Sequence, residues 1–158
     1  MVSEVINIEN ARLMFRNFSG KESKFNAKGN RNFCVVLDPV LADKLRSDGW
    51  SVRCLEPRDP SEDPTYYMQV NVKFGNIPPR ILTIAGNVRT ELNENTVGGL
   101  DFASITSCDL VIRPYNWEVN GNTGVKAYVK SMYVNLELDP FEAKYMQQAQ
   151  DEEEIPFN

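Results

Sequence analysis

Alternating apolar and polar positions predict that most of this chain forms β-strands. The clearest case is 65–74, where every second residue from Met68 to Phe74 is apolar. One helix is predicted to follow Asp38, which is suited to cap its first turn, and to end at Gly49. The predicted strands are 11–18, 31–37, 50–56, 65–74, 80–85, 108–119 and 125–138.

The pattern also assigns faces and loops. In 11–18 it places Leu13 and Phe15 on one face, and the opposite face carries Arg12, Arg16 and Phe18. Residues 19–30 are a polar loop, 57–64 are rich in Pro and Asp, and 87–103 are weakly patterned. Many strands, one good helix and no regular alternation of the two predict a mainly antiparallel barrel or sandwich.

Composition restricts the chemistry of the protein. The 158 residues suit one ordinary domain, and none of them is histidine. Because imidazole is the usual general base and the commonest metal ligand, hydrolases and nucleases that depend on histidine are excluded. Cys34, Cys54 and Cys108 are odd in number and have no CxxC spacing, so they predict neither a disulfide framework nor a zinc ribbon. With no basic leader and no long apolar run, we expect a cytoplasmic protein without a membrane segment.

The segment 12–31 is strongly basic in a chain of net charge −5. It contains six cations against Glu22 alone, with Phe18 and Phe25 between them. Cations three or four positions apart can follow a phosphate backbone, and a loop phenylalanine can stack on a base. The alternative is a solvated loop whose charges only maintain solubility.

A second candidate surface is the hairpin around residues 120–123. With a turn at Gly121-Asn122, or a loop of all four residues, Trp117 lies opposite Lys126, Tyr115 opposite Tyr128 and Arg113 opposite Lys130. Three aromatic rings among three cations suit unpaired bases, although such rings are also common cross-strand partners in ordinary sheets. Pro114 indicates an edge or a bulge, and a bulge there would turn Arg113 away from the face of Tyr115.

The chain ends in four carboxylates followed by apolar residues around a proline, which suits docking into a basic-rimmed apolar pocket. This ending resembles the acidic, Ile-Pro-Phe ending of bacterial single-stranded DNA-binding proteins, through which that family recruits partners. Asn158 departs from the pattern, because the family presents a terminal phenylalanine carboxylate. The tail residues are Asp151, Glu152, Glu153, Glu154, Ile155, Pro156 and Phe157.

The body of the chain resembles bacteriophage single-stranded DNA-binding proteins. The similar stretches are Phe18-Ser19-Gly20-Lys21-Glu22, Gly29-Asn30-Arg31-Asn32-Phe33, Gly49-Trp50-Ser51-Val52-Arg53, Asn76-Ile77-Pro78-Pro79 and 113–121. The resemblance implies a mainly β, OB-fold-like antiparallel five-stranded barrel with extra strands, one short helix and a disordered acidic tail. It divides the chain into a nucleic-acid-binding domain, 1–140, and a short helix with a partner-binding tail, 141–158.

Together, residues and resemblance predict a non-enzymatic protein that binds single-stranded DNA (ssDNA) without sequence specificity in phage-type replication or recombination. Its partners are ssDNA and, through the tail, replication or recombination proteins, in the bacterial host cytoplasm if a phage encodes it. No cofactor or metal is expected, and a homodimer is compatible with the sequence. The candidate ssDNA-binding residues are Arg12, Arg16, Phe18, Lys21, Lys24, Phe25, Lys28, Arg31, Arg113, Tyr115, Trp117, Lys126, Tyr128 and Lys130.

Two other classes remain open from the sequence. Asp59, Glu62 and Asp63 crowd one loop and could hold a divalent cation in a metal-dependent nucleotide hydrolase, but the nearby prolines and the lack of a glycine-rich phosphate loop favour a solvated loop. A phage structural or protein-interaction module would use the aromatic hairpin to bind protein instead. The acidic net charge does not oppose DNA binding, because four of the 22 acidic residues lie in the tail.

Overall fold

The computed structural model describes residues 2–138 and 141 as a mainly β fold with one α-helix. The strands are β1 (Ile6–Ile8), β2 (Leu13–Asn17), β3 (Arg31–Leu37), β4 (Val52–Leu55), β5 (Thr65–Val72), β6 (Arg80–Ala85), β7 (Val88–Leu92), β8 (Ile105–Val119) and β9 (Asn122–Leu136). Helix α1 spans Pro39–Ser47, and a 3₁₀ helix spans Val97–Asp101. Of the predicted segment 141–158, residues 142–158, including the acidic tail, lie outside the described residues.

The strands form one mixed sheet in the order β1-β8-β9-β5-β3-β2, with β4 on β5, β6 on β9 and β7 on β6. The long strand β9 pairs with β8 along one edge. Along its other edge it pairs first with β5 and, further along the strand, with β6. Both of these last pairings are parallel and the other pairings of the sheet are antiparallel, so the sheet is mainly antiparallel, as predicted, with two parallel contacts on β9. The predicted mainly β, OB-like fold with one helix is confirmed.

One apolar core lies under the sheet. Alternation along β3 buries Phe33, Val35 and Leu37, and the neighbouring β5 buries Met68 and Val70 against them. Each such side chain contributes roughly 1.5–3 kcal/mol when fully removed from water. The intervening residues of both strands therefore lie on the opposite face of the sheet, and those that are exposed or half-buried there, such as Asn32 and Asn71, form the surface on which the candidate site lies.

Several predicted elements have the expected bounds. Strands β3 and β6 begin and end where the pattern places them. Helix α1 begins with Asp38 as its cap, since the carboxylate accepts a 2.9 Å hydrogen bond from the Leu41 N–H, and Gly49 follows it with a φ of +100°. No helix among the described residues is long and apolar enough to cross a membrane.

Strand β2 differs from the prediction. Its register with β3 shifts between Met14 and Asn17, and Phe15 takes a φ of +51° there. Phe15 consequently points outward and is 63% exposed, whereas Phe18 is fully buried. The predicted face shared by Leu13 and Phe15 is therefore wrong, because the irregularity interrupts the two-residue period.

The other differences are the short strand β1, which the sequence pattern did not predict, and those at strand ends and in the weakly patterned segment. That segment contains β7 and the 3₁₀ helix. Four of the five residues of β7 are exposed, so the strand has no buried face that would produce an alternation of apolar and polar residues. Strands β4 and β5 are shorter than predicted, while the strands of the main hairpin extend further at Ile105 and Asn122.

Candidate nucleic-acid interface

One residue from each of five adjacent strands forms a lateral row across the outer face of the sheet. In order from β2 to β8, the row is Asn17, Asn32, Asn71, Tyr128 and Arg113. Each pairs directly with the next, and buried residues such as Phe33 and Val70 flank them in sequence. At a strand spacing of ~4.8 Å, the row is about 19 Å long.

The hairpin at one end of this row turns at Asn120-Gly121. Both residues have positive φ, +52° and +82°, which is the type I′ turn that Asn-Gly favours. Val119 therefore pairs with Asn122, so the turn lies one residue before the predicted Gly121-Asn122 and the predicted cross-strand register is wrong by two residues. Trp117 lies opposite Gly124, Tyr115 opposite Lys126 and Arg113 opposite Tyr128. Because a two-residue slip preserves the face of every side chain, the predicted aromatic and cationic face remains.

The side chains of this face are in contact. The Tyr115 and Tyr128 rings meet edge to face at 5.8 Å, and the Arg113 guanidinium lies 5.0 Å from the Tyr128 ring centroid. The bulge is between Val111 and Ile112, away from Pro114, so Arg113 and Tyr115 share one face. Lys130 is the extra residue of this bulge on β9: it has no direct partner on β8, and its side chain is exposed.

A groove of about 530 Å³ runs from the hairpin face to the segment after β5. It is lined by three cations and no carboxylate: Lys73, Arg113 and Lys126, with Tyr115, Tyr128, Gly75, Asn76 and Ile77. A second groove shares Lys73 and Tyr128 with the first and reaches Gly29, Asn30 and Arg31. The two grooves connect the hairpin to the base of the basic loop.

Sequence reasoning missed Lys73 and Asn71 at this surface. Both lie on the polar side of the alternation that predicted β5, so the signal for an outward position was present. Their neighbours across the sheet could not be predicted, because the parallel pairing of Asn71 with Tyr128 joins segments about 57 residues apart.

The basic loop, 19–30, is held by its own backbone and amides. Ser23 and Asn26 exchange two backbone hydrogen bonds of 2.9 and 3.2 Å, and the Gly29 N–H donates to the Gly20 carbonyl at 2.8 Å. The Asn26 amide donates to the carbonyls of Lys21, Ala27 and Asn30, and its oxygen accepts from Asn32 of the lateral row. The loop is thereby attached to the row at the end opposite the hairpin.

Most side chains of this loop are exposed, among them three lysines and a phenylalanine. Lys21, Lys24 and Lys28 are exposed, and Phe25 is 92% exposed. The Lys24 ammonium lies 5.8 Å from the Phe25 ring centroid. An apolar ring held outward among three cations has the chemistry that a stacked base and its phosphates require.

Three of the candidate residues have structural roles instead. Phe18 has no exposed surface and stacks on Phe33 with ring centroids 5.0 Å apart, so the prediction that it faces nucleic acid is wrong. The Arg16 guanidinium donates to the carbonyls of Leu100 and Ala103, both at 2.8 Å. Arg31 similarly donates to the Phe18 carbonyl at 2.7 Å. Both arginines are partly buried. Their hydrogen bonds orient the guanidinium groups toward the protein and away from solvent.

Two exposed aromatic residues were missed. Phe15 meets Tyr67 of β5 edge to face at 5.9 Å on the same outer face. Phe102 is 80% exposed, and the Lys21 ammonium lies 5.0 Å from its ring centroid. Arg12, which is exposed, lines a separate groove with Phe102. Phe102 lies in the weakly patterned segment, where no periodicity indicated which side chains face out.

The other candidates for reactive chemistry are the cysteines and the acidic loop around Asp59. All three cysteines are free thiols, and burial raises the pKa of Cys108 to about 12. Asp59 accepts hydrogen bonds from the backbone and hydroxyl of Ser61, which lower the pKa of its carboxyl. Within 2–138, no group of three or more Cys, Asp or Glu side chains is arranged to share a metal ion.

The mainly β sheet, its aromatic and cationic face and its basic loop define an OB-like protein with a surface suited to a nucleic-acid strand. The sequence profile of one family, described as "Putative phage ssDNA-binding domain", matches residues 1–156. The chain therefore belongs to this phage ssDNA-binding domain family.

Solved structures share the fold. The single-stranded DNA-binding protein from bacteriophage Enc34 in complex with ssDNA is similar with a TM-score of 0.55 and 12% identity, covering 87% of this chain and 89% of that chain. Its C-terminal truncation is similar with a TM-score of 0.54 and 12% identity, covering 87% and 88%. No curated protein matches the chain at a significant level.

Proposed function

We propose that this protein binds single-stranded DNA without sequence specificity along a path from the basic loop to the hairpin face. The observation that carries the proposal is the lateral row, which joins the two candidate surfaces across five strands. Membership of the phage ssDNA-binding domain family supports it. The row of about 19 Å suits the lower end of the ~4–16 nucleotides that one OB fold covers.

Each part of the path has its own task. Lys73, Arg113 and Lys126 neutralise backbone phosphates, and the resulting release of counterions favours binding at low salt. The rings of Tyr115 and Tyr128 stack on unpaired bases, at about 1–3 kcal/mol for each stacked base. The cations and Phe25 of the basic loop hold the other end of the strand.

The same chemistry explains the choice of nucleic acid. Every unpaired base offers a π-face, so stacking tolerates all four bases. A duplex keeps those faces inside its stack and offers the aromatic side chains little to contact. The role is passive, since the protein protects the strand during phage-type replication or recombination and breaks no bond.

Titration of Trp117 fluorescence with oligo-dT tests this function. We expect strong quenching, poor competition by duplex and a log–log salt slope of about −0.7 for each phosphate contact. A Trp117→Phe variant is the matched control, because its remaining Trp50 is only 4% exposed and should not respond. Absence of both quenching and a mobility shift at low salt would refute the proposal.

We infer that the acidic tail, 151–158, competes with DNA for the cations of this path and recruits replication or recombination proteins. Its four carboxylates and the apolar Ile155 and Phe157 support this role. A chain that ends at Gln150 should bind oligo-dT more tightly than the full chain. Equal or weaker binding by the shorter chain would reject the competition.

A further inference from the structure

We propose that the DNA path continues past the sheet edge to a second stacking site, at which an unpaired base lies on Phe102 with its phosphates beside Lys21 and Arg12. This inference rests on the proposed function and extends its path. It assigns a binding role to a surface that the row and the hairpin do not include. The site is formed by the 3₁₀ helix, Val97–Asp101, where it packs against the edge strand β2.

The first support is that Phe102 is held outward by a set of polar contacts. The Asp101 carboxylate accepts hydrogen bonds from the Phe18 N–H and from the N–H and hydroxyl of Ser19. Arg16 fixes the backbone on both sides of Phe102 through the Leu100 and Ala103 carbonyls. The backbone around Phe102 is therefore fixed, yet its ring remains 80% exposed. A ring with so little buried area contributes little to the stability of the core, so packing does not explain its position.

The second support is the charge around the ring. The Lys21 ammonium lies 5.0 Å from the Phe102 centroid, and Arg12 lines the adjoining groove of about 470 Å³. Of the residues that line this groove, Arg12 and Arg16 are the charged ones, and neither is acidic. A ring with one exposed cation beside it and another lining the same groove offers the chemistry that a stacked base and its phosphates require.

The third support is continuity with the lateral row. Asn17, the row residue on β2, accepts a 2.9 Å hydrogen bond from the Lys21 N–H and donates to the Lys21 carbonyl. Lys21 therefore links the end of the row to Phe102 by direct contacts. A strand that crosses the sheet from the hairpin would reach Phe102 last, after it has passed β2.

The position of Phe102 beyond the sheet edge gives a length-dependent test. Oligo-dT of increasing length, from about 4 to about 16 nucleotides, is titrated against the wild-type chain, Phe102→Ala and Tyr128→Ala. We expect Phe102→Ala to bind the shortest bound oligomer normally and the longest about 5- to 150-fold more weakly, while Tyr128→Ala weakens both. Equal loss at every length, or no loss at the longest, would overturn the site.

Two further variants separate stacking from simple apolar contact. Phe102→Trp should retain long-oligomer affinity and Phe102→Leu should not, since only the first keeps a π-face. Val40→Ala, at an 80% exposed position on α1, is the control for loss of exposed apolar surface and should bind as wild type. Full affinity in Phe102→Leu would contradict the proposal.

A direct signal comes from Phe102→Trp in a Trp117→Phe background, in which Trp50 is the other tryptophan and is buried. Saturating long oligo-dT should quench the indole introduced at position 102, whereas the shortest bound oligomer should not. If the wild-type chain binds no oligomer, the proposed function fails. If it binds but the indole at 102 does not respond to the longest oligomer, only the second site fails.

Discussion

The ring of Trp117 lies directly on the backbone of Gly124, its cross-strand partner in the main hairpin. A Cβ added at Gly124 would lie 2.5 Å from Cζ2 and 2.6 Å from Cε2 of the indole, far inside van der Waals contact. The absence of a side chain at this position therefore allows the indole to lie flat against the strand. Glycine weakens a strand in general, so its presence here is explained by this close approach.

Gly124→Ala should displace the indole and weaken binding of oligo-dT by about 1–3 kcal/mol if Trp117 stacks on a base. In a Trp117→Ala background the same substitution should have little further effect, since no ring remains to be moved. Fluorescence anisotropy of labelled oligo-dT measures all four affinities of this cycle. Additive losses would show that Gly124 acts independently of Trp117.

Two phenylalanines of the basic segment should respond in opposite ways to truncation. Phe18→Ala removes a fully buried ring and should lower the free energy of unfolding by about 3–5 kcal/mol. Phe25→Ala removes a ring that is 92% exposed, so stability should change by less than about 0.5 kcal/mol while DNA affinity falls. Urea unfolding and oligo-dT titration of both variants separate the two roles. Normal DNA binding by Phe25→Ala would remove this residue from the path.

These two residues also show what the sequence could and could not predict. The excess of cations in 12–31 located the basic loop, and two-residue alternation located β3, β5 and β6. The burial of Phe18 depends on an irregularity in β2 that no periodic pattern contains. Similarly, alternation placed Asn71 on an outward face, but the parallel pairing that brings it beside Tyr128 is a long-range contact.

A partly buried cation and an exposed one should likewise affect different properties, the first the stability of the fold and the second the affinity for DNA. Arg16→Gln loses charged hydrogen bonds to two backbone carbonyls and should lower the free energy of unfolding by about 1.5–3 kcal/mol. Lys28→Gln changes an exposed side chain of the basic loop and should leave stability unchanged while weakening DNA binding. Thermal unfolding distinguishes these outcomes, and unaltered stability in Arg16→Gln would contradict the structural role.

The salt dependence of DNA binding should show which individual cations of the groove contact phosphates. Lys73→Gln and Lys126→Gln should each reduce the magnitude of the log–log salt slope by about 0.7, the value for one phosphate contact on a single strand. Lys44→Gln, at an exposed position on α1, should leave the slope unchanged. Affinities between about 50 and 200 mM salt determine the slopes. A slope in Lys73→Gln equal to that of wild type would exclude Lys73 from phosphate contact.

Alkaline pH should destabilise the fold through Cys108. Burial raises the pKa of this thiol from 9.0 to about 12, so between these values the unfolded chain releases a proton that the folded chain keeps. The contribution is fully present below pH 9 and falls by up to about 1.4 kcal/mol per pH unit as the pH rises through this window. Urea unfolding from pH 8 to pH 11 should therefore show a steeper loss of stability for the wild-type chain than for Cys108→Ala. Cys54→Ala, which alters an exposed thiol, should retain most of the wild-type slope, and a wild-type slope in Cys108→Ala would assign the effect to other groups.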